Sequence, residues 1–163
     1  MTLARYPGAR TSMVTFGDRV SGFLAIPETG TGPFGAVILG HERYGLVQHT
    51  IDLTAKFAQH GYVGLAPDML SRWDGDKAAV ARGDLSAPLS DSEIRAYMGE
   101  SLDFLMAHPQ VQRDRIAAMG VCQSGSYPLL LNSVRPEIAA NVVMESGRVE
   151  HQPTRRMNRF SVG

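Results

Sequence analysis

The stretch AAMGVCQSGSYPLLL, residues 117–131, joins two apolar runs through a segment of small and polar residues, and it carries Cys122, the single cysteine of the chain. The run IAAMGV that leads into it predicts a buried strand, because short continuous apolar segments are typical of strands covered on both faces. The residues that follow predict a helix over about 123–134, in which Pro128 marks the start or introduces a kink.

Cys122 lies at this predicted strand-to-helix turn, in the pattern Gly-x-Cys-x-Ser. A nucleophile at such a turn needs small residues two positions away on either side, because the backbone is sharply bent. Gly120 and Ser124 meet this condition. The helix N-terminus favours a thiolate, and the backbone N–H of Gln123 is placed to form half of an oxyanion hole. The pattern therefore predicts Cys122 as a catalytic nucleophile.

Two other interpretations of this stretch are open. Ser124 also has small neighbours two positions away, Cys122 and Ser126, and would be a rival nucleophile inside the first helical turn. A free cysteine is also among the most buried residue types and commonly serves only as a small core residue. The strand, turn and helix around Cys122 favour the catalytic interpretation over both alternatives.

The rest of the chain alternates between predicted strands and helices. Residues 68–87, between the predicted strand 62–67 and the predicted helix 91–107, are polar. They predict a long surface excursion, a kind of loop that is often functional. The alternation predicts an α/β fold, a mostly parallel sheet with helices on both faces. The predicted strands are 11–16 and 22–26 (a hairpin), 36–40, 62–67 and 138–146; the predicted helices are 51–60 and 91–107, the latter capped by Asp91 and Ser92.

The composition is that of a single globular domain. The 163 residues include 16 basic and 16 acidic side chains, so no basic field exists to hold nucleic acid. No apolar run is long enough to span a bilayer, and the N-terminus lacks the apolar segment of a secretory signal. No Cys/His cluster has the spacing of a zinc site. We expect a cytoplasmic protein with no cofactor and with neither nucleic acid nor membrane as a partner.

A second motif lies in VILGHERYGLVQHTIDLTAKFAQHGYVGLAPDML, residues 37–70. A predicted strand ends in a His-Glu-x-x-Gly loop, a helix follows, and Gly-Tyr and Pro-Asp come after it. Together with the Cys122 turn, this stretch closely resembles the dienelactone hydrolase family of α/β-hydrolases. The resemblance covers about residues 21–147, and it implies an α/β-hydrolase-like sheet that lacks the last strands of that fold.

The resemblance implies a role for each matching residue. Cys122 would attack the carbonyl of a small-molecule ester or lactone, and Glu42 would partner the resting thiol and move away when substrate binds. The backbone N–H of Arg43 would be the second oxyanion donor. Arg72 matches an arginine that binds a substrate carboxylate, with an ordinary surface charge as a close alternative. Tyr44 would line the pocket or cover the sheet.

The acid and the histidine that complete the family's catalytic triad have no match in this chain. Triads of α/β-hydrolases run in the order nucleophile, acid, histidine. After Cys122 the acidic residues are Glu137, Glu145 and Glu150, and the histidine is His151. None of these matches a family motif, and His41, beside the oxyanion loop, is the substitute base that the sequence suggests.

Three explanations for the missing groups stay open. Residues 1–147 predict a partial hydrolase domain, whereas residues 148–163 form a basic tail of different character, which indicates a C-terminally truncated product. Alternatively, the chain is one half of a split enzyme whose protein partner supplies the remaining strands, the aspartate and the histidine. The third explanation is a catalytically inactive module that binds a ligand or a partner.

Overall fold

The computed structural model describes residues 6–144, which form a six-stranded sheet flanked by helices. The strands are β1 Ala9–Phe16, β2 Val20–Pro27, β3 Phe34–Gly40, β4 Val63–Pro67, β5 Val111–Val121 and β6 Ala140–Met144. The helices are α1 Gln48–Gln59, α2 Lys77–Arg82, α3 Asp91–Ala107 and α4 Tyr127–Asn132.

The order of the strands across the sheet is β1-β2-β4-β3-β5-β6. β1 and β2 form the predicted antiparallel hairpin, and β2 pairs antiparallel with β4. β3 pairs parallel with β4 and β5, and β5 pairs parallel with β6. Parallel strands joined by helices are covered on both faces, and every residue of β4 is buried. The mostly parallel α/β sheet predicted from the sequence is confirmed.

The helices cover both faces of this sheet. Val37 and Leu39 pack with side chains of α1, whereas Ile38 shares a cluster with buried residues of α3 and α4. Because successive side chains of a strand point to opposite faces, α1 lies on one face, and α3 and α4 lie on the other. The predicted inner face of α3 is also confirmed, since its four residues are buried: Ile94, Met98, Leu102 and Leu105.

The pairing of β3 with β5 brings the two sequence motifs together. Gly40 at the end of β3 pairs with Gly120 near the end of β5. The carboxyl ends of parallel strands meet at one edge of the sheet, where ligands of open α/β sheets bind. The loop that carries Glu42 and the turn that carries Cys122 therefore leave the sheet side by side.

Residues 68–87 contain a helix and a buried cluster, whereas the sequence predicts only a polar surface excursion. They contain α2, whose N-terminus is capped by the Asp76 side chain and whose C-terminus ends at Gly83 in the left-handed region, with φ 82°. Three side chains of the segment, Leu70, Val80 and Ala87, form a small buried cluster. The sequence misses this helix because six residues are too few to establish a helical period.

The helix ends differ from the predicted ones for local reasons. The cap of α3 is Ser90, one residue before the predicted caps, and it forms a capping box with Glu93. The helix predicted over 123–134 is divided into a 3₁₀ turn, Cys122–Ser126, and α4. Pro128 lies in the first turn of α4, where the missing N–H of proline costs no hydrogen bond.

β6 forms one edge of the described sheet and exposes apolar side chains. Val142, Val143 and Met144 are between 42% and 49% exposed. Within residues 6–144 we find no helix with the length and apolar character that a membrane crossing requires.

Candidate active site

Cys122 occupies the sharp turn that the sequence predicts. Its backbone has φ 56°, in the left-handed region, which Arg19 alone shares among the described non-glycine residues. L-residues adopt this region at a cost of about 1 kcal/mol or more. A Cβ at Gly120 would lie 1.9 Å from the backbone oxygen of Ser124, so the chain folds back too closely for any side chain at Gly120.

The Ser124 hydroxyl holds this turn in place. Its Oγ lies 2.9 Å from the carbonyl oxygens of Gly40 and Val121, and it accepts a hydrogen bond of 2.8 Å from the backbone N–H of Val121. Ser124 is fully buried. A hydroxyl with no exposed surface cannot reach a substrate, so the geometry gives Ser124 a structural role and not that of the rival nucleophile.

Three of the predicted site residues meet at one cavity. Cys122, Gln123 and Arg43 line a space of about 260 Å³, together with Ser86. Cys122 is partly exposed there, which is required of a nucleophile and is not typical of a core cysteine. The walls of the cavity are the Cys122 turn, the loop after β3 and the segment between α2 and α3.

Ser86 is the lining residue that sequence reasoning missed. It is exposed and lies in the loop between α2 and α3, and it lines the same cavity as Cys122. No motif surrounds Ser86 in the sequence, so its position follows only from the way residues 68–87 fold over the edge of the sheet.

Glu42 lies in a neighbouring cleft instead of on the wall of this cavity. Its carboxylate is 4.0 Å from the Nε2 atom of His49 on α1. The cleft also includes Val121, the residue before Cys122. The loop that carries Glu42 is closed by a hydrogen bond of 3.2 Å from the Gly45 N–H to the Glu42 carbonyl. The role of Glu42 as partner of the thiol stays a prediction.

Arg72 is engaged by acidic side chains. Its Nη1 atom lies 2.8 Å from a carboxylate oxygen of Glu100 and 3.8 Å from one of Asp18. Its guanidinium stacks 4.1 Å above the ring of Tyr97. These contacts connect the segment after β4 to α3 and to the β1–β2 turn. Binding of a substrate carboxylate by Arg72 stays a prediction.

Tyr44 lines a second cavity, of about 170 Å³, which also includes Asp68 and Lys77. Its ring lies beneath Gly83, where an added Cβ would approach it to 3.1 Å. The guanidinium of Arg43 lies 5.4 Å from the centre of the same ring. Tyr44 therefore lies between Arg43 and the end of α2, and a role in lining a substrate pocket stays a prediction.

Both ring nitrogens of His41 are engaged by the backbone. The Nδ1 atom lies 2.7 Å from the carbonyl oxygen of Glu42 and donates to it, whereas Nε2 accepts a hydrogen bond of 3.0 Å from the N–H of Met69. Burial lowers the pKa of His41, which keeps the ring neutral. Neither nitrogen is free to take a proton from Cys122, so the suggestion that His41 is a substitute base is wrong.

His41 is expected to make the fold sensitive to acid. Its lowered pKa means that the folded chain binds fewer protons than the unfolded chain once the pH falls below the ordinary value of 6.5. The free energy of unfolding should therefore decrease from pH 6.5 downwards. The variant His41→Asn should be less stable at pH 8 by about 1–3 kcal/mol, because the Met69 N–H loses its acceptor. Urea denaturation between pH 5 and pH 8 measures both effects.

If the free energy of unfolding of His41→Asn decreased with falling pH as steeply as that of the wild type, His41 would not be the group responsible for the acid sensitivity. The decrease in the free energy of unfolding of the wild type below pH 6.5 would then come from the protonation of other groups. His41 would then not be a neutral side chain that links the loop after β3 to the segment after β4.

The acid and base that complete a hydrolase triad are not found among the lining residues of the cavity within 6–144. Glu145, Glu150 and His151, and with them the whole predicted tail 148–163, lie outside the described residues. Among the described side chains, no group of three or more His, Cys, Asp or Glu residues is arranged to hold a metal ion.

Known proteins with similar structures support the arrangement of strand, turn and helix around Cys122. A protein of Yersinia pestis provisionally named carboxymethylenebutenolidase is 24% identical over 81% of this chain and 51% of its own length. The solved structure named m3DLH has a TM-score of 0.71 and 26% identity, over 90% of this chain and 63% of that one. A dienelactone hydrolase-like promiscuous phosphotriesterase from metagenomic libraries has a TM-score of 0.70 and 26% identity, over 86% of this chain and 60% of that one.

The chain spans about half the length of the curated relatives it matches. The family model for dienelactone hydrolases matches residues 20–158, which include both sequence motifs and most of the described sheet. The chain belongs to the dienelactone hydrolase family.

Proposed function

We propose that this chain carries the nucleophile of an ester or lactone hydrolase, and that Cys122 attacks the substrate carbonyl. One observation carries the proposal: Cys122 has the strained backbone of a nucleophile turn, with φ 56°, and is partly exposed in a cavity of about 260 Å³. Membership of the dienelactone hydrolase family supports the same chemistry.

The proposed reaction has two steps. The Cys122 thiolate bonds to the carbonyl carbon, and the carbonyl electron pair moves to oxygen. In this proposal the oxyanion receives hydrogen bonds from the backbone N–H groups of Gln123 and Arg43, two residues that line the same cavity. The electron pair then returns and the carbon–oxygen bond of the ester breaks. The alkoxide takes from solvent the proton that the thiol had released to it, and leaves as the alcohol. Water then hydrolyses the thioester, which releases the acid and restores the thiol.

The second step requires a general base to activate water. The described residues that line the cavity are Arg43, Ser86, Cys122 and Gln123, and none of them is a base suited to this task near neutral pH. We propose that a protein partner supplies this base and that no residue of this chain does. General acid–base catalysis is worth about 100- to 10,000-fold, so a chain without its base should acylate and then stall.

The test is the reaction of the purified chain with p-nitrophenyl acetate. We expect a burst of nitrophenol of about one equivalent, followed by slow turnover, since the thioester forms faster than it is hydrolysed. Cys122→Ala should show no burst. Equal rates for the two proteins would overturn the proposal and favour a catalytically inactive binding module.

Free imidazole is expected to accelerate the slow phase, because it supplies the missing base to the water that attacks the thioester. The rate should rise in proportion to imidazole concentration in the wild-type chain and stay unchanged in Cys122→Ala after subtraction of the uncatalysed reaction. Turnover as fast as the burst and insensitive to imidazole would contradict the account, because the chain would then contain its own base.

A further inference from the structure

We propose that the second cavity, which Tyr44 lines, binds an aliphatic chain of the substrate whose carbonyl lies at Cys122. The inference rests on the proposed function, since it names a substrate class for the same site: esters or lactones that carry a short alkyl chain. Three observations lead to it: the position of the second cavity beside the proposed oxyanion donor, its apolar lining and the paired state of its charged groups.

The second cavity begins one residue along the loop from Arg43, whose backbone N–H is the proposed second oxyanion donor. Arg43 lines the cavity of Cys122, and Tyr44 lines the second cavity. Adjacent Cα atoms are about 3.8 Å apart, a distance that an extended alkyl chain spans with about three bonds. Both side chains contact Gly83: the Nη2 atom of Arg43 donates to its carbonyl oxygen at 3.1 Å, and the ring of Tyr44 lies beneath it. An alkyl chain attached to a carbonyl at Cys122 can therefore reach the second cavity along this loop.

Four apolar residues line the second cavity. They come from three segments of the chain: Leu46 and Val47 before α1, Leu70 after β4, and Ala81 on α2. The cavity has a volume of about 170 Å³. A water molecule occupies roughly 30 Å³ in the liquid, and a methylene group is of similar size, so there is room for a chain of about five carbons.

The charged residues that line the second cavity are paired with each other. The Nζ atom of Lys77 lies 3.8 Å from one carboxylate oxygen of Asp68, and the other oxygen accepts a hydrogen bond of 2.9 Å from the N–H of Leu70. Their opposite charges leave the described lining without a net charge near neutral pH. The binding of a ligand there is therefore favoured by burial of its apolar surface, which is worth about fourfold in affinity for each buried methylene group.

The test compares acyl donors that differ only in the length of one alkyl chain. For the acyl side, the rate of the burst is measured with p-nitrophenyl acetate and p-nitrophenyl hexanoate. For the leaving-group side, intact-mass spectrometry measures the rate at which acetyl-Cys122 forms from S-ethyl and S-hexyl thioacetate. Each rate is divided by that of free N-acetylcysteine with the same reagent. The ratio of the long-chain to the short-chain rate then measures the preference for an alkyl chain, because any change in the thiolate fraction of Cys122 cancels. The arm with the high ratio identifies the part of the substrate that enters the second cavity.

We expect a ratio of about 10 or more in one arm, since four additional methylene groups become partly buried, and we expect two variants of the lining to remove most of it. Ala81→Phe fills part of the second cavity with a ring. Val47→Asp places a charge in its lining. Val47 is the N-cap of α1 and forms no side-chain cap hydrogen bond, so aspartate, a favoured capping residue, should not weaken the helix. Ala78→Phe is the matched control, since Ala78 is an exposed residue of α2 that is not among the lining residues of either cavity. It should leave the ratio unchanged.

Two outcomes would overturn the inference: ratios near 1 in both arms of the wild type, or a high ratio that Ala81→Phe and Val47→Asp both leave unchanged.

Alkylation of Cys122 separates this inference from the proposed function, because it requires no acyl transfer. The Cys122 thiolate adds to the carbon–carbon double bond of N-methylmaleimide or N-hexylmaleimide, and the neighbouring carbon takes a proton from solvent. Suppose that the chain shows no Cys122-dependent burst, yet prefers N-hexylmaleimide and loses this preference in Ala81→Phe. That result would support the apolar site and sink the hydrolase. A burst without a chain-length preference in either arm would do the reverse.

Discussion

Gly120→Ala is expected to destabilise the chain by about 3 kcal/mol or more, a large part of the 5–15 kcal/mol that stabilises a typical domain. The added Cβ would lie 1.9 Å from the backbone oxygen of Ser124, 2.6 Å from its carbonyl carbon and 3.0 Å from Pro128. Backbone atoms at this distance cannot move aside without opening the turn that holds Cys122. Urea denaturation of both proteins measures the loss.

Gly99→Ala is the matched control for this experiment. Gly99 lies inside α3, and a Cβ there would have Arg135 as its nearest neighbour, at 4.0 Å. Alanine is a better helix former than glycine by up to about 1 kcal/mol, so this variant should be more stable than the wild type. If Gly120→Ala were as stable as Gly99→Ala, the backbone could not have the close turn described above.

Cys122→Gly should give a more stable chain than Cys122→Ala, by about 1 kcal/mol, and neither variant should react with an ester. Both substitutions remove the thiol, but only glycine adopts φ 56° without strain. The difference in unfolding free energy between the two variants therefore reports the backbone strain at the nucleophile. Strain of this size is typical of functional sites, where the surrounding structure holds it in place.

Two other positions calibrate this comparison. Arg19 has φ 58° and lies in the β1–β2 turn, away from the cavity, so Arg19→Gly should likewise be more stable than Arg19→Ala. Val121 has φ −129°, and there the glycine variant should be less stable than the alanine variant by about 0.5–1 kcal/mol. Equal stability of Cys122→Gly and Cys122→Ala, with the calibrating pairs as expected, would show that Cys122 carries no strain.

The sequence is informative about the fold where short-range patterns are strong. The apolar run at residues 36–40 and the period of α3 predict a buried strand and an amphipathic helix, and both are present. The local pattern is too weak to predict α2. The six residues of this helix are stabilised by the Asp76 cap and by burial of Val80. That burial depends on the tertiary structure, which no local pattern in residues 68–87 reveals.

In the site, as in the fold, the features set by local sequence are predictable and those set by tertiary contacts are not. Gly120, Cys122 and Ser124 are close in sequence, and the sharp turn they predict is present. The meeting of Cys122 with Arg43 follows from the pairing of β3 with β5, which the alternation of strands and helices makes predictable in outline. The engagement of His41 is not predictable in this way, because its Nε2 accepts from Met69, which follows a different strand.

The side chain of Arg72 illustrates why a matching motif does not fix a role. Its place in the sequence matches the family arginine, yet its partner Glu100 is on α3, and Asp18 is in the β1–β2 turn. Neither carboxylate is near Arg72 in the sequence. Which charges surround a side chain is decided by long-range packing, so the sequence alone could not show that Arg72 is paired with Glu100 and Asp18.

Peptide mass spectrometry of the acid-quenched burst shows whether Cys122 carries the acyl group of the substrate. The chain is mixed with p-nitrophenyl acetate, quenched during the burst and digested, and a parallel sample is first blocked with iodoacetamide. We expect one acetyl group on the peptide that contains Cys122, and none in the blocked sample. An unmodified Cys122 peptide, with acetyl groups on other residues in both samples alike, would contradict this expectation.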